Sequence, residues 1–439
     1  MNTTTETWKR DRAALPDVRT RIPIPASSTF LRKLFAFAGP GFLVAVGYMD
    51  PGNWATDLAA GSRYNYTLLS VVMISNLMAI LLQSLCIKLG VVTGRDLAQA
   101  CRDSFSRPVS LVLWFVCEIA IAACDLAEVI GSAIALNLLF NIPLIWGVCL
   151  TALDVFLMLF LQEKGYRYIE ALVISLIAVI GLCFGLEILF SHPSFAGIAR
   201  GFIPSSQIIT HPEMLYIAIG ILGATVMPHN LYLHSAIVQT RDYARTREGK
   251  REAIKFCNID SAVALTFALL INAAILIVSA AAFHGSGHDV AEIQDAYKLL
   301  TPLLGVTGAS TLFALALLAS GQNSTLTGTL AGQIVMEGFL DIRMKPWLRR
   351  IITRGIAIIP AIIVTAVAGE SGTAKLLVLS QVILSMQLSF AVFPLVMFTS
   401  DRRKMGEFVN STATKLLAWI VAFFIAALNV WLLVQTFRG

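Results

Sequence analysis

Apolar residues in this 439-residue chain gather into long runs separated by short polar links. A bilayer crossing needs about 20 residues in helical form, and eleven runs meet that length. They lie at roughly 36–62, 66–93, 108–138, 143–162, 168–190, 214–240, 256–283, 304–330, 351–369, 374–399 and 413–436. The pattern predicts an all-α integral membrane protein. The first 35 residues are polar and rich in Arg and Pro, with no cleavable signal pattern, and predict a disordered cytosolic tail.

Composition agrees. The chain is 57% hydrophobic and 14% charged, with a mean hydropathy of +0.75, outside the range of ordinary soluble domains. Lys and Arg then orient the spans. With the amino terminus cytoplasmic, 26 of them fall on the cytoplasmic side and 5 (Arg63, Arg200, Lys298, Lys375 and Arg438) on the other. That bias predicts a cytoplasmic amino terminus and an extracytoplasmic carboxyl terminus. It also accounts for most of the net charge of +6, so no nucleic-acid partner is called for. The seven cysteines form no CxxC pair and read as small core residues.

Two runs are interrupted in a similar way, each with a metal-capable side chain directly before proline. The first break is Met49-Asp50-Pro51-Gly52-Asn53 and the second is Ala224-Thr225-Val226-Met227-Pro228-His229. Proline removes a backbone donor and drives its predecessor out of helical geometry. Backbone groups freed in this way survive at membrane depth only beside protein or a polar cavity. The breaks fall in spans 1 and 6, and a step of five spans reverses the chain direction. This predicts a 5+5 inverted repeat, residues 36–190 and 214–399, with 413–436 as an additional helix 11 and a binding site where helices 1 and 6 unwind.

The donors at the breaks are mixed. A carboxylate from Asp50, an amide oxygen from Asn53, a carbonyl freed at Ala224 and the thioether of Met227 would form a shell of hard and soft atoms. Oxygen alone suits magnesium or calcium, whereas sulfur shifts preference towards transition metals. Gln381, in the polar pair Ser380-Gln381 of span 10, adds an oxygen when the site closes.

Acids at membrane depth need a partner or a task, at about 3 kcal/mol each on insertion scales. Glu118, Asp125 and Glu128 are spaced seven and three apart, on one helical face. Together with Asp50 and His229 they form a candidate proton route. An ion-pair network with Arg349, Arg350 and Arg354 is the structural alternative, and the two are compatible. His234 follows on the second half-helix. Asp154, Glu170 and Asp260 read as structurally paired acids, and His284, His288, Asp289, Glu292 and Asp295 as a solvated loop. Asn323 reads as packing glue between helices.

At these residues the chain resembles the NRAMP family of divalent-metal transporters, MntH-type proton-coupled manganese transporters in particular. The resemblance runs from about residue 36 to the carboxyl terminus. It rests on Asp50-Pro51-Gly52-Asn53, Met227-Pro228-His229, Asp125-Leu126-Ala127-Glu128, and Gly332-Gln333 through Met336-Glu337-Gly338-Phe339. It implies a LeuT-like fold and uptake of manganese or ferrous iron with protons. Its implied metal ligands are Asp50, Asn53, the Ala224 carbonyl and Met227, with Gln381 joining in some states. Asp125, Glu128 and His229 match positions that the family associates with proton movement, and Glu118 extends that set. Cys124 departs from the pattern, standing where many bacterial members have threonine.

The resulting expectation is a proton-coupled symporter in the plasma membrane, bacterial inner membrane by kind. It would import Mn2+ or Fe2+, and also Cd2+ or Co2+, by alternating access. The metal is substrate and H+ co-substrate, with no permanent cofactor and no obligate protein partner beyond the bilayer. A LeuT-like carrier of an organic amine or amino acid would use Asp50 but leave Met227 idle. A metal-sensing receptor or channel would leave the paired breaks unexplained. No nucleophile, base and oxyanion set or nucleotide loop suggests an enzyme.

Overall fold

The computed structural model describes residues 22–24, 29–153, 166–285, 293–306, 308–342 and 345–438. The side chains of Arg350 and Arg354 lie outside the described set, as do Asp154, His288, Asp289, Glu292 and residues 154–162 of the fourth predicted span.

The first predicted span divides into three helices and a 3-10 turn. Helix α1 (Phe30–Phe37) leads into α2 (Pro40–Ala45), a 3-10 turn at Val46–Met49, and then α3 (Pro51–Tyr64). Between α1 and α2 the axis bends by 44°. Gly39 makes the bend at φ 131°, which a side chain would strain, and its N–H and that of Gly41 donate to the Asp260 carboxylate. The helix therefore begins six residues earlier than the apolar run suggests, because α1 is an exposed-edged helix carrying Phe30, Leu31 and Phe35 outward.

Beyond α3 come α4 (Leu69–Thr93), α5 (Leu97–Ser104), α6 (Arg107–Phe140), α7 (Leu144–Thr151) and α8 (Tyr166–Ser191). Short helices α9 (Phe195–Gly201) and α10 (Gln207–Thr210) precede the second broken unit, α11 (Pro212–Thr225) and α12 (Pro228–Ile237). Then follow α13 (Arg247–Phe283), α14 (Ile293–Leu304), α15 (Ala309–Leu340), α16 (Pro346–Thr399), α17 (Arg402–Met405) and α18 (Thr412–Arg438). Among the described residues, seven helical stretches are long and apolar enough to cross a membrane, or eight with the bent α1–α2 pair.

Helix α16 runs for 54 residues where the hydrophobic pattern predicts two spans, 351–369 and 374–399. At 1.5 Å per residue that is about 80 Å of chain, more than twice the hydrocarbon thickness. Long α6 packs against α15 and α16, and α13 packs against α3, α4 and α2. The two broken units lie inside this scaffold: nearly every residue from Pro40 to Ser62 and from Met214 to Val238 is buried.

Candidate metal site

At the first break, Pro51 has no N–H for the Gly47 carbonyl, and Asp50 is extended at φ −71° and ψ 167°. Its side chain caps α3, with Asn53 N–H donating to Asp50 Oδ1 at 2.8 Å. That diversion leaves Met49 O without its helical donor, and the Ser320 hydroxyl of α15 supplies one at 2.5 Å. Asn272 of α13 donates to Tyr48 O at 2.7 Å. Side chains from two neighbouring helices thus hold the unwound turn open. Asp50 Oδ2 and Asn53 Oδ1 have no hydrogen-bond partner, and both residues are at most 1% exposed.

The second break is looser. Helix α11 closes with Val226 N–H donating to Leu222 O at 2.8 Å, and Met227 is extended at φ −68° and ψ 123° before Pro228 opens α12. Ala224 stands four residues before Pro228, so its carbonyl loses its regular helical donor. The Thr225 hydroxyl has no partner. The fully buried Met227 packs with Ala120, Ala123, Cys124 and Leu384.

The breaks touch each other. A Cβ on Gly47 would stand 2.2 Å from Asn230 Nδ2, which itself reaches Val44 O at 3.5 Å. Gln381 of α16 wedges against both units. A Cβ on Gly52 would lie 1.7 Å from its amide nitrogen, and one on Gly223 would lie 2.1 Å from its backbone oxygen. Gln381 faces the Asp50 carboxylate, donates to Ser380 Oγ at 3.0 Å, and keeps Oε1 unpartnered. The five candidate metal donors therefore belong to three elements in mutual contact. Among the described residues, no group of three or more His, Cys, Asp or Glu side chains converges as a metal cluster. The candidate donors at the breaks are instead a carboxylate, amides, a carbonyl and a thioether.

The candidate proton residues continue from this point along α6. His229 is 1% exposed, with Nδ1 unpartnered and Nε2 3.9 Å from Cys124 Sγ. The Cys124 sulfur is 3.7 Å from Glu128 Oε1, and Thr325 of α15 donates to Glu128 Oε2 at 3.1 Å. Asp125 and Arg349 line one narrow cleft with Gly328, Thr329, Gly332 and Gln333. Arg349 donates to both Glu118 oxygens, at 3.1 and 3.2 Å, and Trp114 Nε1 adds a third bond to Glu118 at 3.0 Å. The candidate proton residues and the ion pair thus adjoin, Arg349 bonding Glu118 and sharing a cleft with Asp125.

The remaining acids divide as their surroundings dictate. Glu170 binds Arg241 at 2.8 Å and Arg167 at 3.2 Å, a structural pair. Asp260 caps the start of α2. His234 Nδ1 lies 2.9 Å from Gln83 Oε1, whose amide donates to the Tyr48 hydroxyl at 2.6 Å. His284 bonds Ser62 O, and Asp295 stands beside Lys298 on the exposed face of α14. Asn323 Nδ2 donates to Val173 O at 3.3 Å, joining α15 to α8. All seven cysteines are free, six of them buried. Asn272, Ser320 and Thr325 escaped the reading of the residues. Asn272 is a lone polar position in an otherwise apolar stretch, and that was its only signal.

Comparison with known proteins agrees with this geometry. The family profile described as "Natural resistance-associated macrophage protein-like" (Nramp) matches residues 41–435. The divalent metal cation transporter MntH of Nostoc sp. is 68% identical over 430 residues, covering 98% of this chain and 97% of the relative. The protein of that name from Listeria monocytogenes serotype 4a is 66% identical over 436 residues, covering 99% and 97%. A crystal structure of the Eremococcus coleocola manganese transporter superposes with a TM-score of 0.89 at 42% identity, covering 95% of this chain and 90% of that one. Mhp1, a nucleobase-cation-symport-1 family transporter, shares the fold at a TM-score of 0.60 and 14% identity, covering 95% and 94%.

Proposed function

This chain belongs to the Nramp family, and from that premise we propose that it carries divalent transition-metal ions, manganese foremost, across a bacterial inner membrane by alternating access. The observation that carries the reading is the pair of touching helix breaks, where Asp50 Oδ2 and Asn53 Oδ1 stand buried and unpartnered at the first and Met227 is fully buried at the second. Buried polar atoms of this kind cost free energy unless a ligand satisfies them. One carboxylate neutralises half the charge of a divalent ion. The amide and carbonyl oxygens complete a partial shell, and sulfur favours manganese, iron, cobalt or cadmium over calcium.

Asp50, Asn53, the Ala224 carbonyl and Met227 act as ligands in this account, with Gln381 joining as α16 closes on the two breaks. The LeuT-like architecture follows with eleven spans, the 5+5 inverted repeat over 36–190 and 214–399, and a cytoplasmic amino terminus. The likeness to the Mhp1 fold supports it. A proton moves with the metal from the neighbourhood of Asp50 past His229, Glu128 and Asp125 to the Glu118–Arg349 pair. Their contiguity along α6 supports that route. An inside-negative potential aids entry, at roughly 2.3 kcal/mol per charge per 100 mV.

The test is manganese uptake into proteoliposomes of controlled pH and voltage. Acid outside and negative potential inside should both accelerate uptake, and cadmium should compete while organic amines do not. Flux indifferent to pH and voltage would remove the coupling, and competition by amines would remove the metal reading.

A further inference from the structure

Cys124 has no role among the donors assigned above, yet it stands against them. It is 1% exposed on α6 and packs in one buried cluster with Met227. His229 turns Nε2 towards its sulfur at 3.9 Å while His229 Nδ1 stays unpartnered, and Glu128 Oε1 lies 3.7 Å away on the other side. Two ligands sharing one tetrahedral ion, with metal–sulfur and metal–nitrogen bonds of about 2.3 and 2.0 Å, stand roughly 3.5 Å apart. A larger cation such as cadmium widens that separation, so the observed sulfur–nitrogen distance suits it with little movement.

We propose that Cys124 is a specificity-determining residue: with Met227 it forms a two-sulfur wall, joined by His229 Nε2, that holds thiophilic divalent cations of the cadmium class more tightly than manganese. The inference rests on the metal-site reading above and deepens it. Thioether and thiolate are soft donors, whereas manganese takes oxygen from the same pocket and leaves the thiol intact. Cysteine binds metal as thiolate. Coordination therefore forms a metal–sulfur bond and releases one proton, and Glu128 Oε1 is within reach to receive it. An ion with this additional bond leaves slowly, so cadmium acts on this chain as a slow substrate that blocks manganese.

The test uses the purified full-length protein in lipid nanodiscs, titrated with cadmium chloride and with manganese chloride. Wild type should show a sulfur-to-cadmium charge-transfer absorption that excess manganese removes. Cys124→Ser should lose that band and lower the cadmium-to-manganese affinity ratio about tenfold, the size typical of losing one partner around a metal. Cys124→Thr provides a second, differently shaped replacement if the serine variant folds poorly. A wild-type protein without a manganese-sensitive band, or a ratio unmoved in both variants, overturns the proposal. Asp50→Ala separates the two readings. If it binds both metals as wild type does, the site itself is misplaced. If it loses both while the ratio in the Cys124 variants is unmoved, only the role of Cys124 falls.

Discussion

The two helix breaks use the same proline device and differ in what surrounds it. At the first, Asn272 and Ser320 donate to the Tyr48 and Met49 carbonyls, and Asp50 caps its own helix through Asn53. At the second, the Ala224 carbonyl loses its regular helical donor to Pro228, and the Thr225 hydroxyl has no partner. The first break is braced from neighbouring helices. Both leave oxygens without a partner, Asp50 Oδ2 and Asn53 Oδ1 at the first and the Thr225 hydroxyl at the second. Under the proposed function, the braced break would hold the charge in place while the other supplies further ligands, a division suited to an ion that is bound and then released.

The largest expected effect follows from removing the charge at the braced break. Asp50→Ala should abolish manganese binding and uptake, exceeding the 10–100-fold typical of losing an outer partner. Isothermal titration and vesicle uptake both report it, and near-normal affinity would dissolve the contrast between the two breaks. Next is Gly52→Ala. The added Cβ would meet the Gln381 amide at 1.7 Å, so that side chain must swing off the first break, and uptake should fall at least about tenfold. Normal uptake would show that Gln381 approaches the site by another path.

At the looser break, Met227→Ala should relax discrimination against calcium and lower manganese transport only modestly, by a few-fold, since oxygen donors remain. Competition between calcium and manganese in uptake measures it, and unchanged calcium rejection would show that the thioether does not select. The smallest functional effect belongs to a brace. Asn272→Ala leaves Tyr48 O without its buried donor at a cost of about 1–3 kcal/mol, which thermal unfolding in detergent should register. Metal preference should stay that of wild type. A changed preference would mean that bracing and selecting are not separate tasks.

The membrane class, the broken helices and the α6 acid stripe were all legible in the residues because each rests on a local rule. Proline acts on its own neighbours, and residues seven and three apart share a helical face whatever lies opposite. The same locality explains what was missed. Asn272 and Ser320 serve carbonyls 224 and 271 residues away, and no periodicity carries such a pairing. Cys124 read as a small core residue, and only the structure sets it between His229 and Glu128. The bend of the first unit at Gly39 is held by Asp260, more than two hundred residues away.

By itself, then, the chain determined which segments are apolar, where two of them must unwind, and which donor types stand at each interruption, since these depend on side-chain chemistry and backbone sterics over a few residues. Tertiary structure alone decided which contacts realise those expectations: Asn230 against Gly47, Gln381 against both Gly52 and Gly223, and Arg349 on Glu118. Those contacts join remote parts of the chain, and only the packing of complementary helix surfaces selects them from the many pairings that local rules allow.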